Sequence, residues 1–233
     1  MRTSLGGPGE RTEKMRTQRG FTLVEIAIVL VIIGLLLGGI LKGQEMITQA
    51  KIKNVMADYS GISAAYHGYQ DRYRAIPGDD PGATRWGFTA PTSAGNGVIT
   101  GYYNTNTATD ETRLWWDHLR SAGFVSGSAG TQQPFNAVTG IIGVQTGNGG
   151  DGTASATIGA ALGGFVSLII CSANLPDKIA IAVDTQMDDG KIATGTVRGQ
   201  VHTAGPNPKI NDAADTTEYV ESGTSVYTLC RSL

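Results

Sequence analysis

The chain has 233 residues and a formal net charge of −2, from 18 lysine and arginine against 20 aspartate and glutamate side chains. This near balance excludes the strongly basic composition of a nucleic-acid-binding protein. The length allows one or two domains with a hydrophobic core. The chain has 33 glycines, and Gly, Ser, Thr and Asn crowd residues 89–160, which predicts a loop-rich region there.

Residues 1–20 are basic, whereas the rest of the chain is mildly acidic. Five basic side chains lie in this segment with Glu10 and Glu13, leaving 13 of the 18 basic and 18 of the 20 acidic side chains for the remainder. By the positive-inside rule, the basic segment stays in the cytoplasm and the remainder crosses the membrane. Translation from Met15 would leave the short basic leader MRTQRG, and the sequence does not decide between Met1 and Met15.

A long apolar run, Phe21–Leu41, follows directly. It has the roughly 20 apolar residues that a helix needs to cross a bilayer. A secretory signal peptide is cut behind its apolar run at a small-x-small site, and the following sequence, KGQEMITQAK, has none. A simple anchor explains the length but not Glu25, because a charge near mid-membrane costs about 2.5–3.5 kcal/mol on insertion scales. The acid therefore indicates a function and a partner.

The sequence at this junction, RGFTLVE, resembles the processing site of type IV prepilins and the related pseudopilins. The resemblance implies that a membrane peptidase cuts after Gly20 and methylates the new amine on Phe21, so that residues 1–20 form a cleaved leader. It also implies that Glu25 meets the amine of a neighbouring subunit in a filament. Lys42 stands where many pilins carry a helix-loosening proline. Glycines, which lower helix stability, are the alternative points of weakness here: Gly34, Gly38, Gly39 and Gly43.

Beyond Lys42 the apolar pattern becomes periodic, with steps of three and four residues. The residues on this stripe are Ile52, Val55, Tyr59, Ile62, Tyr66, Tyr69 and Tyr73. The spacing predicts one face of an amphipathic helix that ends at IPGDDPGA. We therefore expect one long helix over residues 21–75, with 21–41 in the membrane. The tyrosine stripe predicts packing against a globular part, and a cofactor or conduction path is the alternative.

Residues 76–233 predict a globular head of helices, loops and strands. The segment DETRLWWDHLRSAGF predicts a short helix with Asp110 as its cap. NLPDKIAIAVDTQMDDG fits both a strand and a helix, and Pro176 with Gly190 favours the helix. Four runs predict strands: GIIGV, FVSLIIC, IATGTVRGQV and SVYTLC. This order predicts an α+β fold, and it is similar to the pilin plan of a long N-terminal helix packed on an antiparallel sheet.

The two cysteines, Cys171 and Cys230, lie far downstream of the membrane segment. Exported chains tend to pair such cysteines, so we predict a disulfide between them. The alternative is two buried free thiols.

Three acids, Asp184, Asp188 and Asp189, lie near the C-terminal end of the ambiguous helix, where negative charge is unfavourable. A bound cation would offset that charge, and oxygen-rich clusters suit Ca²⁺. Some proteins of the resembled pseudopilin group bind calcium. The alternative is a solvated turn with Lys191 or Arg198 as the counter-ion. No cofactor is required by any other feature of the sequence.

The sequence contains no catalytic set. His67, His118 and His202 lack metal-ligand spacing, and neither a nucleophile elbow nor a phosphate-binding loop is present. We therefore predict a structural subunit of a type IV pilus or pilus-like filament and not an enzyme. The alternatives are a type II secretion pseudopilin or a minor pilin and, from another class, a membrane-tethered enzyme or binding protein.

The resemblance also implies partners and a location. The partners would be copies of the chain itself, other pilins, the prepilin peptidase/methyltransferase and an inner-membrane assembly platform. No nucleic acid is expected among them. The chain would cross the bacterial inner membrane once, surrounded by lipid, with its head in the periplasm, and would later enter a pilus or periplasm-spanning filament.

Overall fold

The computed structural model describes residues 20–91, 93–147, 161–202, 205–210, 215 and 218–233. Residues 1–19 of the predicted leader, with Met1 and Met15, lie outside the described residues. The helices are α1 (Leu23–Tyr73), α2 (Glu111–Ser121), α3 (Ala161–Gly164) and α4 (Asp177–Met187), with a 3₁₀ helix at Pro81–Trp86. The strands are β1 (Ile142–Thr146), β2 (Leu168–Pro176), β3 (Val197–His202) and β4 (Val226–Ser232).

The chain divides into two units, Met1–Glu45 and Met46–Leu233. In the first unit, the described residues from Leu23 onward are helical, and their apolar side chains are exposed. Helix α1 is thus long and apolar enough to cross a membrane, by its length and composition.

In the second unit, one face of α1 is buried in the main hydrophobic core. Ile52, Val55, Tyr59 and Tyr69 are at most 2% exposed, and Tyr66 and Tyr73 pack at the edge of the same core. The Tyr59 hydroxyl donates a hydrogen bond to the carbonyl oxygen of residue 229 in β4, at 2.7 Å. The predicted stripe is therefore a packing face, as its helical spacing indicated.

The four strands form one antiparallel sheet in the order β1-β2-β4-β3. The long apolar helix packed on this sheet confirms the predicted α+β, pilin-like fold class. The ambiguous segment is helical, as α4, and begins directly after Pro176. Between Ser172 and Leu175 the β2–β4 register shifts, and Asn174 there has a φ of +57°.

Helix α2 is buried on nearly every side, not on one face alone. Trp115, Trp116 and Leu119 have no exposed surface, and the polar residues Glu111 and His118 are buried with them. Asp110 occupies the N-cap position, but the prediction that its side chain caps the helix is wrong. Its Oδ2 instead accepts a hydrogen bond from the Thr105 hydroxyl at 2.6 Å, because the turn before the helix brings that hydroxyl closer than the helix amides.

A loop crosses the outer edge of β1 and covers it. The Tyr103 amide donates to the Gln145 side chain, and the Ile99 amide donates to the Thr146 hydroxyl. The loop lies so close that a Cβ atom on Gly143 would stand 2.1 Å from the carbonyl oxygen of Tyr103. Gly143 is thus required by a close backbone approach.

We expect Gly143→Ala to destabilise the second unit, because the added methyl group overlaps a backbone atom that cannot rotate away. Overpacking of this kind typically costs about 1–3 kcal/mol. Urea unfolding of the full chain in detergent micelles, followed by tryptophan fluorescence, would measure the loss. Gly61→Ala is the matched control, since Gly61 lies in α1 with nothing within 4 Å of a new Cβ. It should raise stability by up to about 1 kcal/mol. A Gly143→Ala protein with the wild-type urea midpoint would contradict the close approach.

Candidate functional site

The N-terminus of α1 is closed by a reciprocal pair of side chains. Oε2 of Glu25 accepts hydrogen bonds from the Thr22 amide and the Thr22 hydroxyl, both at 2.8 Å. In return, the Glu25 amide donates to the Thr22 hydroxyl at 3.2 Å, and the Ile26 amide bonds to the Thr22 carbonyl oxygen. This arrangement is a capping box, which satisfies amides that the first helical turn leaves without partners.

The residues around the capping box are accessible. Phe21 is 82% exposed and Leu23 is 90% exposed, and Gly20 is exposed as well. Sequence analysis assigned roles to Gly20, Phe21 and Glu25 but none to Thr22. The Thr-x-x-Glu spacing before an apolar run is itself a capping-box signature, so the sequence contained the signal for this contact.

The same N-terminal segment matches a known protein family motif. Residues 15–41 match the prokaryotic N-terminal methylation motif. The chain carries the type IV prepilin and pseudopilin signature. No curated protein matches the chain. The signature confirms the resemblance seen in RGFTLVE and supports a type IV pilin-like or pseudopilin subunit. Proteins with this signature are structural rather than catalytic.

The predicted disulfide is present. Cys171 of β2 and Cys230 of β4 stand directly opposite each other, with their Cα atoms 4.0 Å apart, and both are fully buried. They belong to a second hydrophobic cluster, separate from the one that contains α1. The other buried members of this cluster are Tyr103, Leu162, Phe165, Ile169, Ala173 and Ile210. Loop residues therefore cover the bond and keep solvent away from it.

We expect the disulfide to resist reductants while the protein is folded, because neither sulfur is exposed. The bond spans 59 residues, and a loop of that length stabilises by about 4 kcal/mol in the chain-entropy account. Thiol labelling after dithiothreitol treatment, with and without urea, would follow the reduction. The Cys171→Ser/Cys230→Ser protein is the control, and its stability should match that of the reduced wild type. Rapid labelling of the folded protein would contradict the burial.

Buried carboxylates organise the loops of the second unit. In all but one of the six buried acids of the described residues, the carboxylate accepts a hydrogen bond from a backbone amide. These five are Asp79, Asp80, Glu111, Asp117 and Asp177. Asp184 is the exception: its Oδ2 accepts from the Tyr219 hydroxyl at 2.6 Å, and its Oδ1 is buried without a hydrogen-bond partner. A buried oxygen left in this way is unfavourable unless a proton or cation reaches it.

Asp184 lies in the acidic cluster that the sequence singled out. One carboxylate oxygen each from Asp184, Asp188 and Asp189 lies within 4.8 Å of the others. Asp188 accepts from the Thr196 and Val197 amides, and Asp189 accepts from the Lys191 amide and the Thr194 hydroxyl, so both also hold the loop between α4 and β3.

The suggested counter-ions do not form salt bridges with these acids in the described residues. Arg198 instead donates to the carbonyl oxygens of Leu162 and Gly195 and lies over the ring of Phe165. Burial raises the pKa of Asp184 to about 6, and the charges of Asp189 and Asp188 add to this shift. The Tyr219 hydroxyl opposes it, as does the nearby Gly190 amide, which does not reach hydrogen-bond geometry with Oδ1. The cluster thus combines three close carboxylates with one buried oxygen, Oδ1 of Asp184, that accepts no well-formed hydrogen bond.

Proposed function

We propose that the chain is the structural subunit of a type IV pilus or pilus-like filament, processed after Gly20 and polymerised through α1. The observation that carries this proposal is the methylation motif over residues 15–41, which coincides with an exposed apolar helix containing Glu25. A type II secretion pseudopilin or a minor pilin would share the same processing and the same assembly contact. The function proposed is structural, without catalysis.

The proposed chemistry of assembly follows from two charges at one helix end. Cleavage after Gly20 leaves a cationic, methylated amine on Phe21, and Glu25 lies four residues on, about 6 Å along the helix axis. Each charge is unfavourable in an apolar bundle. They neutralise each other between neighbouring copies only at one axial stagger, so the pair sets the register of docking.

The proposed location follows from the same segment. The apolar part of α1 spans the bacterial inner membrane before assembly, with the basic leader in the cytoplasm and the second unit in the periplasm. The partners are other copies of the chain and other pilins, the prepilin peptidase/methyltransferase and the inner-membrane assembly platform. A membrane-tethered enzyme or binding protein is the rival, and it would use α1 only as an anchor.

The substitution Glu25→Ala distinguishes the proposed filament subunit from a protein that uses α1 only as a membrane anchor. We expect normal amounts of cleaved, membrane-bound subunit that begins at methylated Phe21, because the peptidase depends mainly on Gly20. Filaments should be at least about 100-fold fewer, because removing one partner of a buried pair typically costs 3–5 kcal/mol. Mass spectrometry of the membrane fraction and electron microscopy of sheared surface material would measure both quantities.

Glu45→Ala is the matched control for this substitution. Glu45 also lies on α1, but it is exposed, follows the apolar segment and pairs with Lys42 at 2.7 Å. Exposed pairs of this kind contribute little, so filaments should form normally. Normal filaments from Glu25→Ala would show that the carboxylate has some other role than the assembly contact. A wild-type protein that forms no filaments, or that keeps residues before Phe21, would favour the anchored protein.

We further propose that Asp184, Asp188 and Asp189 hold a Ca²⁺ ion. The observation in favour is the buried Oδ1 of Asp184, which has no donor and lies within reach of two other carboxylates. Ca²⁺ accepts six to eight oxygen ligands in flexible geometry, so a loop of carboxylates and carbonyl groups suits it. The ion would stabilise the loop between α4 and β3 and would have no catalytic role.

Calcium should raise the melting temperature of the full chain in micelles, relative to chelator. At a free calcium concentration 100 times the dissociation constant, the free energy of unfolding should rise by about 2.7 kcal/mol. This stabilisation by calcium should become smaller as the pH falls through about 6, because the raised pKa of Asp184 lets a proton replace the ion. Calorimetry at several pH values, with and without chelator, would measure it.

Asp184→Asn should abolish this difference, since it keeps the shape and removes the charge. It is a cleaner test than Asp188→Ala, because Asp188 also holds two backbone amides of β3 and the loop before it. Asp71→Asn, at an exposed acid on α1, should leave the calcium effect unchanged. A wild-type protein that melts at one temperature in calcium and in chelator would reject the site.

A further inference from the structure

His118 of α2 is a titratable side chain with no exposed surface, and the proposed function does not use it. Its Nδ1 accepts a hydrogen bond from the backbone amide of Gly78, at 2.9 Å. A ring nitrogen that accepts a hydrogen bond carries no proton, so the proton of the neutral ring lies on Nε2. Nε2 is buried and has no hydrogen-bond partner in the part of the chain that the structure describes. One backbone amide therefore holds the ring as a single neutral tautomer.

The Gly78 amide approaches the ring from a turn at residues 76–80, which follows α1. Gly78 has a φ of +84°, and a Cβ atom on it would overlap the carbonyl oxygen of Glu111. The same atom would lie 3.2 Å from the amide nitrogen of Trp115. The backbone of the turn therefore packs directly against the backbone of α2, which fixes the position of the amide relative to the ring.

A proton on Nδ1 is incompatible with this contact. It would convert the acceptor into a donor, so that two N–H groups would face each other. A flip of the ring offers no relief, because it would place a C–H group against the Gly78 amide. Stacking against Phe88 and Tyr69, with ring centroids at 5.4 and 6.5 Å, also opposes such a movement. The ring can thus hold either the turn or a second proton, but not both.

We propose that His118 is an acid-sensitive latch: its neutral ring holds the turn at residues 76–80 on α2, and protonation of the ring releases the turn. This inference does not rest on the proposed filament function, since it concerns contacts within the second unit alone. Histidine suits such a role, because small changes in its surroundings move its protonation across the physiological pH range.

Release of the turn reaches further than the histidine, because the turn carries two buried carboxylates. Asp79 accepts hydrogen bonds from the backbone amides of residues 95–97. Asp80 accepts from the Tyr69 hydroxyl and from the Arg85 guanidinium, at 2.7 Å each. Acidification therefore loosens the loop at residues 95–97 and the end of α1 together with the turn itself.

Burial decides the protonation state of the ring, because the charges that face it largely cancel. Asp80 favours the protonated ring and Arg85 opposes it, and these two side chains form an ion pair at 2.7 Å. From α1 the ring meets Tyr69, whose pKa is raised by burial, so its hydroxyl carries no charge. On α2 itself, both carboxylate oxygens of Glu111 already accept hydrogen bonds. The remaining aromatic rings against His118 are uncharged.

The direction of the pH dependence follows from this burial, which lowers the pKa of His118 from 6.5 to about 4. As the pH falls, the unfolded or released ring takes up a proton before the latched ring does. The stability that the latch contributes is therefore fully present above about pH 6.5, and it is lost as the pH falls from about 6.5 towards about 4.

The first experiment follows the ring nitrogens of His118 by nuclear magnetic resonance in the full chain in micelles, from pH 7.5 to pH 4.5. At pH 7.5 we expect a proton on Nε2 and none on Nδ1. Between pH 7.5 and pH 5, the protection of the Gly78 amide against hydrogen exchange, corrected for the intrinsic exchange rate, should fall at least about tenfold. A proton on Nδ1 at pH 7.5, or a Gly78 protection that does not change with pH, would overturn the proposal.

The second experiment compares the urea unfolding of the wild type and of His118→Asn at pH 7.5 and at pH 5. The carboxamide oxygen of Asn lies near the place of Nδ1, so it still accepts from the Gly78 amide but does not titrate. On acidification, the unfolding equilibrium constant of the wild type should rise at least about tenfold more than that of the variant. His67→Asn, at an exposed histidine on α1, is the matched control and should respond as the wild type does.

Equal responses of the wild type and His118→Asn to pH would contradict the latch. If the variant does not fold at pH 7.5, the ring titration and the Gly78 exchange of the wild type still decide the proposal. A wild type that forms no filaments would count against the proposed function but would leave these measurements unaffected, because they concern the second unit alone.

Discussion

The contact between α1 and the sheet is the constraint on which the second unit depends. From Ile52 to Tyr69, one face of α1 is buried in the same core as side chains of the sheet and the tryptophans of α2. Each fully buried large side chain of this kind stabilises by about 1.5–3 kcal/mol relative to the exposed state. Tyr59 adds a hydrogen bond to the backbone of β4, which ties the position of the helix along its axis to that of the sheet.

Buried acidic side chains hold the glycine-rich loops of the second unit in place. Glycine-rich loops lose much conformational entropy on folding, so strong hydrogen bonds are needed to hold them in one conformation. Asp79 provides one, since its carboxylate accepts hydrogen bonds from the amides of Gly95, Asn96 and Gly97. Asp80 provides another, because it binds Tyr69 of α1, the Gly82 amide and the Arg85 guanidinium together. Charge-assisted hydrogen bonds are the stronger kind, and they replace the sheet ladder that these loops lack.

The sequence predicted the elements that follow from periodicity. The helical stripe from Ile52 to Tyr73, the strand runs and the choice of helix for α4 all follow from local spacing and from Pro176. The disulfide followed from export and from there being only two cysteines. What the sequence could not predict depends on neighbours distant in the chain. Asp110 lost its capping role to a nearby hydroxyl, and the unpartnered oxygen of Asp184 became evident only once the donors around the other buried acids were known.

The covered disulfide has a consequence for the order in which the protein matures. Disulfides form by attack of a thiolate on another sulfur, so an oxidising catalyst must reach at least one cysteine. In the finished fold, both cysteines are fully buried in one hydrophobic cluster with Leu162, Phe165 and Ile210. Oxidation therefore has to come before these loops settle, while β2 and β4 are already side by side. Folding of these loops is then the last step of maturation. After it, their side chains protect the disulfide from reductants, even where the surroundings are not oxidising.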